Sequence, residues 1–351
     1  MTENDVTIIA ADGIMSGRHP RVVVKSLEHP LCLHAGPRPE PFGAPSCLSF
    51  ACASGVFAFC LLLAAVTFTA ADDTAIPDEA ADTPRTGPYT AVFTQRSPLS
   101  SQPALSRRFR WRLKRGSEDY DLAEERFFVY VPQSYEPQQP HGVLVWISPS
   151  PSGVLPNEWR PLMDKHRLIW VGPDHAGNDR EIWQRLGLPL DAVHNTKHRY
   201  RIDETRIYIA GLSGGGRCAS RLGIVYADVF RGTLAIVGCD FYRALESTSR
   251  PGKFWRPTFR RPKGPIFRFA RQRSRHVLLT GETDANREQT LVTYEQGYLK
   301  DKFQHVHYLE VPNMGHSVPP VEWFDKAIGM MDGGARERRS DEETKRRRDG
   351  G

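Results

Sequence analysis

Cysteine is scarce in this chain. Of its six cysteines, Cys32, Cys47, Cys52 and Cys60 precede residue 72, leaving Cys218 and Cys239 for the remainder. A disulfide-dense scaffold is thereby excluded, and Cys218 and Cys239 are left either to bridge, as an exported domain permits, or to stand as two small buried thiols. The chain also lacks Cys-x-x-Cys, His-Glu-x-x-His and an EF-hand loop, so no metal site and no cofactor is predicted. No repeat recurs at a fixed spacing, which excludes a solenoid or propeller. Wholesale disorder is excluded by composition: 40% of the 351 residues are hydrophobic and 25% charged, as in globular proteins.

Charge is missing altogether from Ser46 to Ala71. Inside this stretch Gly55 to Val66 is the most apolar run of the chain; Thr69 and Ala71 then stand at the small-residue positions of a cleavage site, and Asp72-Asp73 opens a polar segment. The pattern predicts export (periplasmic, extracellular or anchored), with the run either cleaved or retained as a membrane anchor, for which its length suffices. It divides the chain into an extension over 1–71, a linker over 72–92, one catalytic-sized domain over 93–332, and a charged tail over 333–351 too polar to bury a core.

Acidic residues are nearly absent between Arg243 and Arg275, where eleven Lys or Arg face the single Glu246. The net charge of +6, 47 basic minus 41 acidic, therefore belongs to one segment. Without it the chain holds 36 basic and 40 acidic residues, a balance that does not suggest a chain-wide nucleic-acid or membrane surface.

From Phe127 to Asp332 short β-branched and aromatic runs alternate with longer amphipathic ones. Strands are predicted at Phe127–Val131, Gly142–Ile147, Leu168–Val171, Arg206–Ala210, Thr233–Val237, Val277–Thr280 and His305–Val311, and helices at Asn178–Asn195, Arg217–Tyr226, Arg287–Lys300 and Val321–Met331. The inner strands are continuously apolar, as strands covered on both faces must be. This is an α/β pattern: a mostly parallel sheet with helices on both faces.

One strand, Arg206–Ala210, runs into Gly211-Leu212-Ser213-Gly214-Gly215-Gly216 and then a helix. That is Gly-x-Ser-x-Gly in the strand-turn-helix setting that lifts a serine out of a strained turn. Gly214 at the helix start would aim its N–H at a developing oxyanion. A nucleophilic serine needs a base, and the base a carboxylate, on loops after later strands. Gly281-Glu282-Thr283-Asp284-Ala285-Asn286 supplies Asp284, with Glu282 as fallback, and Asn313-Met314-Gly315-His316 supplies His316. His175, at the end of an earlier strand, is a candidate for the cleft lining.

From about Phe93 to Met331 the chain resembles the α/β-hydrolase superfamily, and within it secreted esterases of the polyhydroxybutyrate depolymerase and feruloyl or acetylxylan esterase kind. Asp203 to Tyr208, the Ser213 turn, the Gly281–Asn286 loop and Asn313–His316 carry the resemblance. It implies a Ser213, Asp284, His316 triad and an ester substrate, small or polymeric. The chain departs from those esterases after its second predicted strand: where they have His-Gly and a second oxyanion donor, it has Ser148-Pro149-Ser150-Pro151-Ser152-Gly153. Pro149 and Pro151 have no N–H, and by position Ser150 is the expected donor. The same constellation would serve a serine peptidase, and an impaired oxyanion site would leave a binding protein of the same fold. The basic segment, within an insertion over 240–276, interleaves arginines with Phe254, Trp255, Phe259, Phe267 and Phe269. Read alone this suggests single-stranded nucleic acid. On an exported hydrolase it suggests instead either a solvated basic surface anchored to the domain by its aromatics, or a rim at which Arg256, Arg260 and Arg261 attract anionic esters.

Overall fold

The computed structural model describes residues 84–112 and 119–333. The apolar run over 46–71, the greater part of the 72–92 linker and the charged tail lie outside these residues, apart from Gly333. Among the described residues no helix is long and apolar enough to cross a membrane.

The sheet begins earlier than the sequence suggests. Strand β1 (Gly87–Val92) falls inside the predicted linker and alternates buried and exposed residues, placing Tyr89 and Ala91 in the core. It pairs antiparallel with β2 (Arg126–Val131), which pairs antiparallel with β4 (Leu168–Pro173). The remaining pairs are parallel: β3 (His141–Ile147) with β4 and β5 (Ile202–Leu212), then β5, β6 (Gly232–Ile236), β9 (Arg275–Gly281) and β10 (His305–Val311) in turn. The eight strands lie in the order β1-β2-β4-β3-β5-β6-β9-β10. The short β7 (Leu245–Glu246) and β8 (Phe254–Trp255) pair apart from them.

Each inner strand feeds two cores. In β3, Val143, Val145 and Ile147 face one side with helices α3 (Ile182–Arg199) and α4 (Gly214–Val225), while Leu144 and Trp146 face the other with α2 (Arg160–His166) and the C-terminal helix over 321–333. On that second face Trp159 stacks on Phe324 at 3.8 Å and Trp146 on Trp170 at 5.2 Å. Truncating one such buried indole to Ala costs about 3–5 kcal/mol. The last helix is pinned further by Asp332, which accepts hydrogen bonds from Arg206 Nε at 2.6 Å and Tyr208 Oη at 2.6 Å.

This strand order, antiparallel only at β1, β2 and β4 and covered by helices on both faces, is the α/β-hydrolase fold. It brings the C-terminal ends of β3, β4, β5, β6, β9 and β10 to one edge, where loops can gather chemistry.

The 240–276 insertion is more regular than its prolines suggest. Pro265 sits in the first turn of helix α5 (Gly264–Gln272), where a missing N–H costs nothing. Phe259 is buried between Tyr242 and Phe109, the last residue of helix α1 (Gln102–Phe109), and Phe267 is partly buried between Tyr242 and Phe303. These aromatics anchor the basic segment to the helix layer.

Candidate active site

Ser213 stands between β5 and α4 with φ 54° and ψ −115°, a conformation L-residues avoid. The glycines around it make the turn possible. A Cβ on Gly215 would come within 1.9 Å of the Ile147 carbonyl oxygen, and one on Gly211 within 2.4 Å of the Gly215 carbonyl carbon. The turn is held from the neighbouring strand, since Ser213 N–H donates to the Ile236 carbonyl at 2.8 Å. Helix α4 starts at once behind it, so its first N–H groups, Gly214 included, have no partner within the helix.

The candidate base and acid arrive from the ends of the last two strands. His316 Nε2 lies 2.8 Å from Ser213 Oγ, and His316 Nδ1 lies 2.8 Å from Asp284 Oδ1. Asp284 is buried and otherwise occupied: Thr280 Oγ1 donates to its Oδ2 at 2.9 Å and Asn286 N–H to its Oδ1 at 3.1 Å. Asn286 Nδ2 in turn donates to the Val237 carbonyl at 2.8 Å, tying the acid loop to the end of β6. With a carboxylate on Nδ1, that nitrogen carries the imidazole proton and Nε2 is free to accept one from Ser213. Glu282, the fallback acid, instead accepts the Asn313 N–H at 3.0 Å and shapes the histidine loop.

Three expectations meet different outcomes. Ser150 does not offer its N–H to the site, because that group donates to Ser148 Oγ at 3.1 Å and the two hydroxyls lie 2.8 Å apart. With prolines on both sides, the Ser150 turn closes on itself. Cys218 and Cys239 are free, buried thiols, so of the two possibilities the bridge is not formed. Cys239 is hydrogen-bonded towards Thr293 and Thr290, away from α4, and burial pushes its thiol up to about 11. His175 is exposed, with φ 52°; its N–H donates to the Pro151 carbonyl, and its imidazole is not hydrogen-bonded to Ser213, Asp284 or His316.

The structure does not bring the arginine rim to Ser213. Arg260 and Arg261 line a cavity of about 530 Å³ with Arg110, Trp111, Tyr242, Phe259 and Lys263. Its floor touches Phe109, whose ring also packs on Tyr226 beyond the last turn of α4. That helix has 12 residues, which places its end about 18 Å from the serine turn. Arg256 is exposed after β8. The 247–249 turn is held to the helix that follows the acid loop by Glu288, whose carboxylate accepts from Ser247, Ser249 and Thr248. Hydrogen bonds from Ser249 first, then Ser247 and Thr248, depress Glu288 to about 2.

Sequence reasoning passed over two groups of supporting residues. Arg185, buried in α3, donates to the Ala176 carbonyl at 2.7 Å and the Ser148 carbonyl at 3.2 Å, clamping together the loops after β4 and β3. Asn178, in the loop after β4, places its carboxamide against Gly214. No periodicity marks either residue, although Asn178 lies only three positions past His175.

No protein-family profile matches the chain. The chain is 29% identical over 89 residues to a poly(3-hydroxybutyrate) depolymerase of Ralstonia pickettii, a match covering 21% of this chain and 18% of that enzyme. Among solved structures it is similar to esterase 2 of Thermogutta terrifontis (13% identity, TM-score 0.43, covering 64% of this chain and 97% of that one). It is also similar to the feruloyl esterase module of Clostridium thermocellum (11%, TM-score 0.42, covering 59% and 83%). At these identities and TM-scores the likeness says nothing of substrate.

Proposed function

We propose that this chain is an exported serine hydrolase that cleaves carboxylic esters through an acyl-Ser213 intermediate. The observation carrying the proposal is the unbroken relay Asp284–His316–Ser213, with both links at 2.8 Å, at the strand-end edge of the sheet. Ser213 Oγ attacks the ester carbonyl and gives its proton to His316 Nε2; Asp284 holds the imidazole in the required tautomer and stabilises the imidazolium. Collapse expels the alkoxide, which takes the proton back from His316. Water then enters by the same route and releases the acid.

A fluorophosphonate probe and a panel of aryl, acetyl, feruloyl and hydroxyalkanoate esters test this reading. Labelling at Ser213 with turnover of at least one ester class is the expected result. Refusal of the probe by folded protein would sink it in favour of a binding protein of the same fold, a reading favoured by the self-closed Ser150 turn. Amide turnover without ester turnover would make it a peptidase.

A further inference from the structure

We infer that the Asn178 carboxamide supplies the second oxyanion donor facing Ser213, in the place where a backbone N–H from the loop after β3 would be expected. The inference rests on the acyl-serine reading above. In that loop Pro149 and Pro151 have no N–H, Ser150 N–H is spent on Ser148 Oγ at 3.1 Å, and Gly153 N–H is spent on Asp174 Oδ1 at 2.8 Å. Two donors are the usual complement for a tetrahedral oxyanion, and Gly214 N–H is one.

Asn178 stands against that first donor. A Cβ built on Gly214 would meet Asn178 Oδ1 at 1.9 Å, Cγ at 2.8 Å and Nδ2 at 3.2 Å, so the carboxamide occupies the space a side chain at position 214 would fill. Its backbone is fixed to the loop it replaces, since Asn178 N–H donates to the Pro149 carbonyl at 2.9 Å and Gly177 packs on Ser150. Arg185 and the Arg180–Glu125 ion pair hold the rest of the turn. Among the described residues the carboxamide itself has no hydrogen-bond partner, and Asn178 is exposed, as a group waiting for substrate would be. A half-turn about its terminal torsion exchanges the two amide ends, and a developing negative charge selects the N–H₂ end.

In the acylation step the Ser213 Oγ–C bond forms, the proton moves to His316 Nε2, and the carbonyl π pair becomes a lone pair on oxygen. Gly214 N–H and Asn178 Nδ2 donate to that oxygen, more strongly than to the uncharged carbonyl, so the contact lowers the barrier and not merely KM.

The test compares wild type, Asn178→Ala and the isosteric Asn178→Asp for kcat and KM on the best ester of the panel, and for the second-order rate of fluorophosphonate labelling at Ser213. The expected result is a fall in kcat of about 10²- to 10³-fold in Asn178→Ala and at least as much in Asn178→Asp, with KM within a few-fold and labelling slowed in parallel. Thermal melts should match wild type, because the side chain is exposed and unpaired. Either variant within a few-fold of wild type in kcat, or a loss confined to KM, would overturn this inference and leave the serine hydrolase reading standing. A wild type that neither labels nor turns over any ester would overturn both.

Discussion

Asp284 Oδ1 meets His316 Nδ1 at 2.8 Å, and the carboxylate is buried while the imidazole is not. Exchanging the acid for an amide keeps the shape but lets the wrong tautomer form. Asp284→Asn should therefore cut ester turnover by about 10⁴-fold without unfolding the protein. Glu282→Gln should stay within a few-fold, because Glu282 accepts from the Asn313 backbone N–H while His316 Nδ1 pairs with Asp284. Since relay members act as a unit, Ser213→Ala with His316→Ala should cost little more than either alone. Steady-state rates on one ester settle all three, and a severe Glu282→Gln beside a mild Asp284→Asn would reverse the assignment.

Gly215 is constrained from outside its own helix. Its Cβ position lies 1.9 Å from a backbone carbonyl oxygen, that of Ile147, which cannot swing aside as a side-chain tip could. Gly215→Ala should then push α4 away from β3, costing about 1–3 kcal/mol and moving Ser213 off its 2.8 Å contact with His316. A lower denaturation midpoint together with slower probe labelling is the expected pair of readings. Unchanged stability would mean that the turn has more room than its backbone shows.

The two core thiols should behave as buried hydrophobes. With Cys239 pushed up to about 11 by burial and Cys218 raised for the same reason, neither presents thiolate near neutral pH. A thiol reagent should leave both peptides unlabelled in native protein and label both after unfolding without reductant. Failure to label after unfolding would reveal a bridge.

Arg256→Gln, Arg260→Gln and Arg261→Gln together should leave the KM ratio of an anionic to a neutral ester unchanged at physiological ionic strength. Arg260 and Arg261 belong to the cavity around Trp111 and Phe259, and exposed charges that far from the serine are screened over about 8 Å. A ratio that shifts in the triple variant would return the segment to the substrate wall.

How far the sequence could be read follows from what each element depends on. β10 appears at its expected bounds, and the serine turn was legible because Gly-x-Ser-x-Gly states its own backbone requirement. β1 was not, since six alternating residues containing Pro88 become a strand only beside β2. α5 was hidden because Pro265 reads equally as a breaker and as a helix start. Expecting α3 to begin at Asn178 absorbed into a helix the four residues that form the end of the β4 loop, and with them the residue lying on Gly214. The fate of the Ser150 N–H and of the two thiols is set by separations through space, which spacing along the chain does not contain.

His276 should make the fold acid-sensitive. Its Nε2–H donates to the Ala270 carbonyl at 3.1 Å, its Nδ1 is buried without a partner, and the rings of Tyr298 and Phe303 lie 5.0 and 5.3 Å away. Burial first, with some repulsion from His305, pushes it down to about 4. The unfolded chain, with a histidine near the usual value of about 6.5, takes up the proton before the folded one does. The stability that the neutral imidazole contributes is therefore complete above about 6.5, is lost as pH falls towards about 4, and changes no further below that. One proton over that interval corresponds to about 3 kcal/mol. His166, lowered chiefly by burial and partly restored by Asp325, adds to the same slope. Urea unfolding at pH 7.5, 5.5 and 4.5 should show wild type losing stability steadily and His276→Gln losing distinctly less, since glutamine keeps a donor for Ala270 and takes up no proton. Identical slopes in the two proteins would place the acid sensitivity elsewhere in the domain.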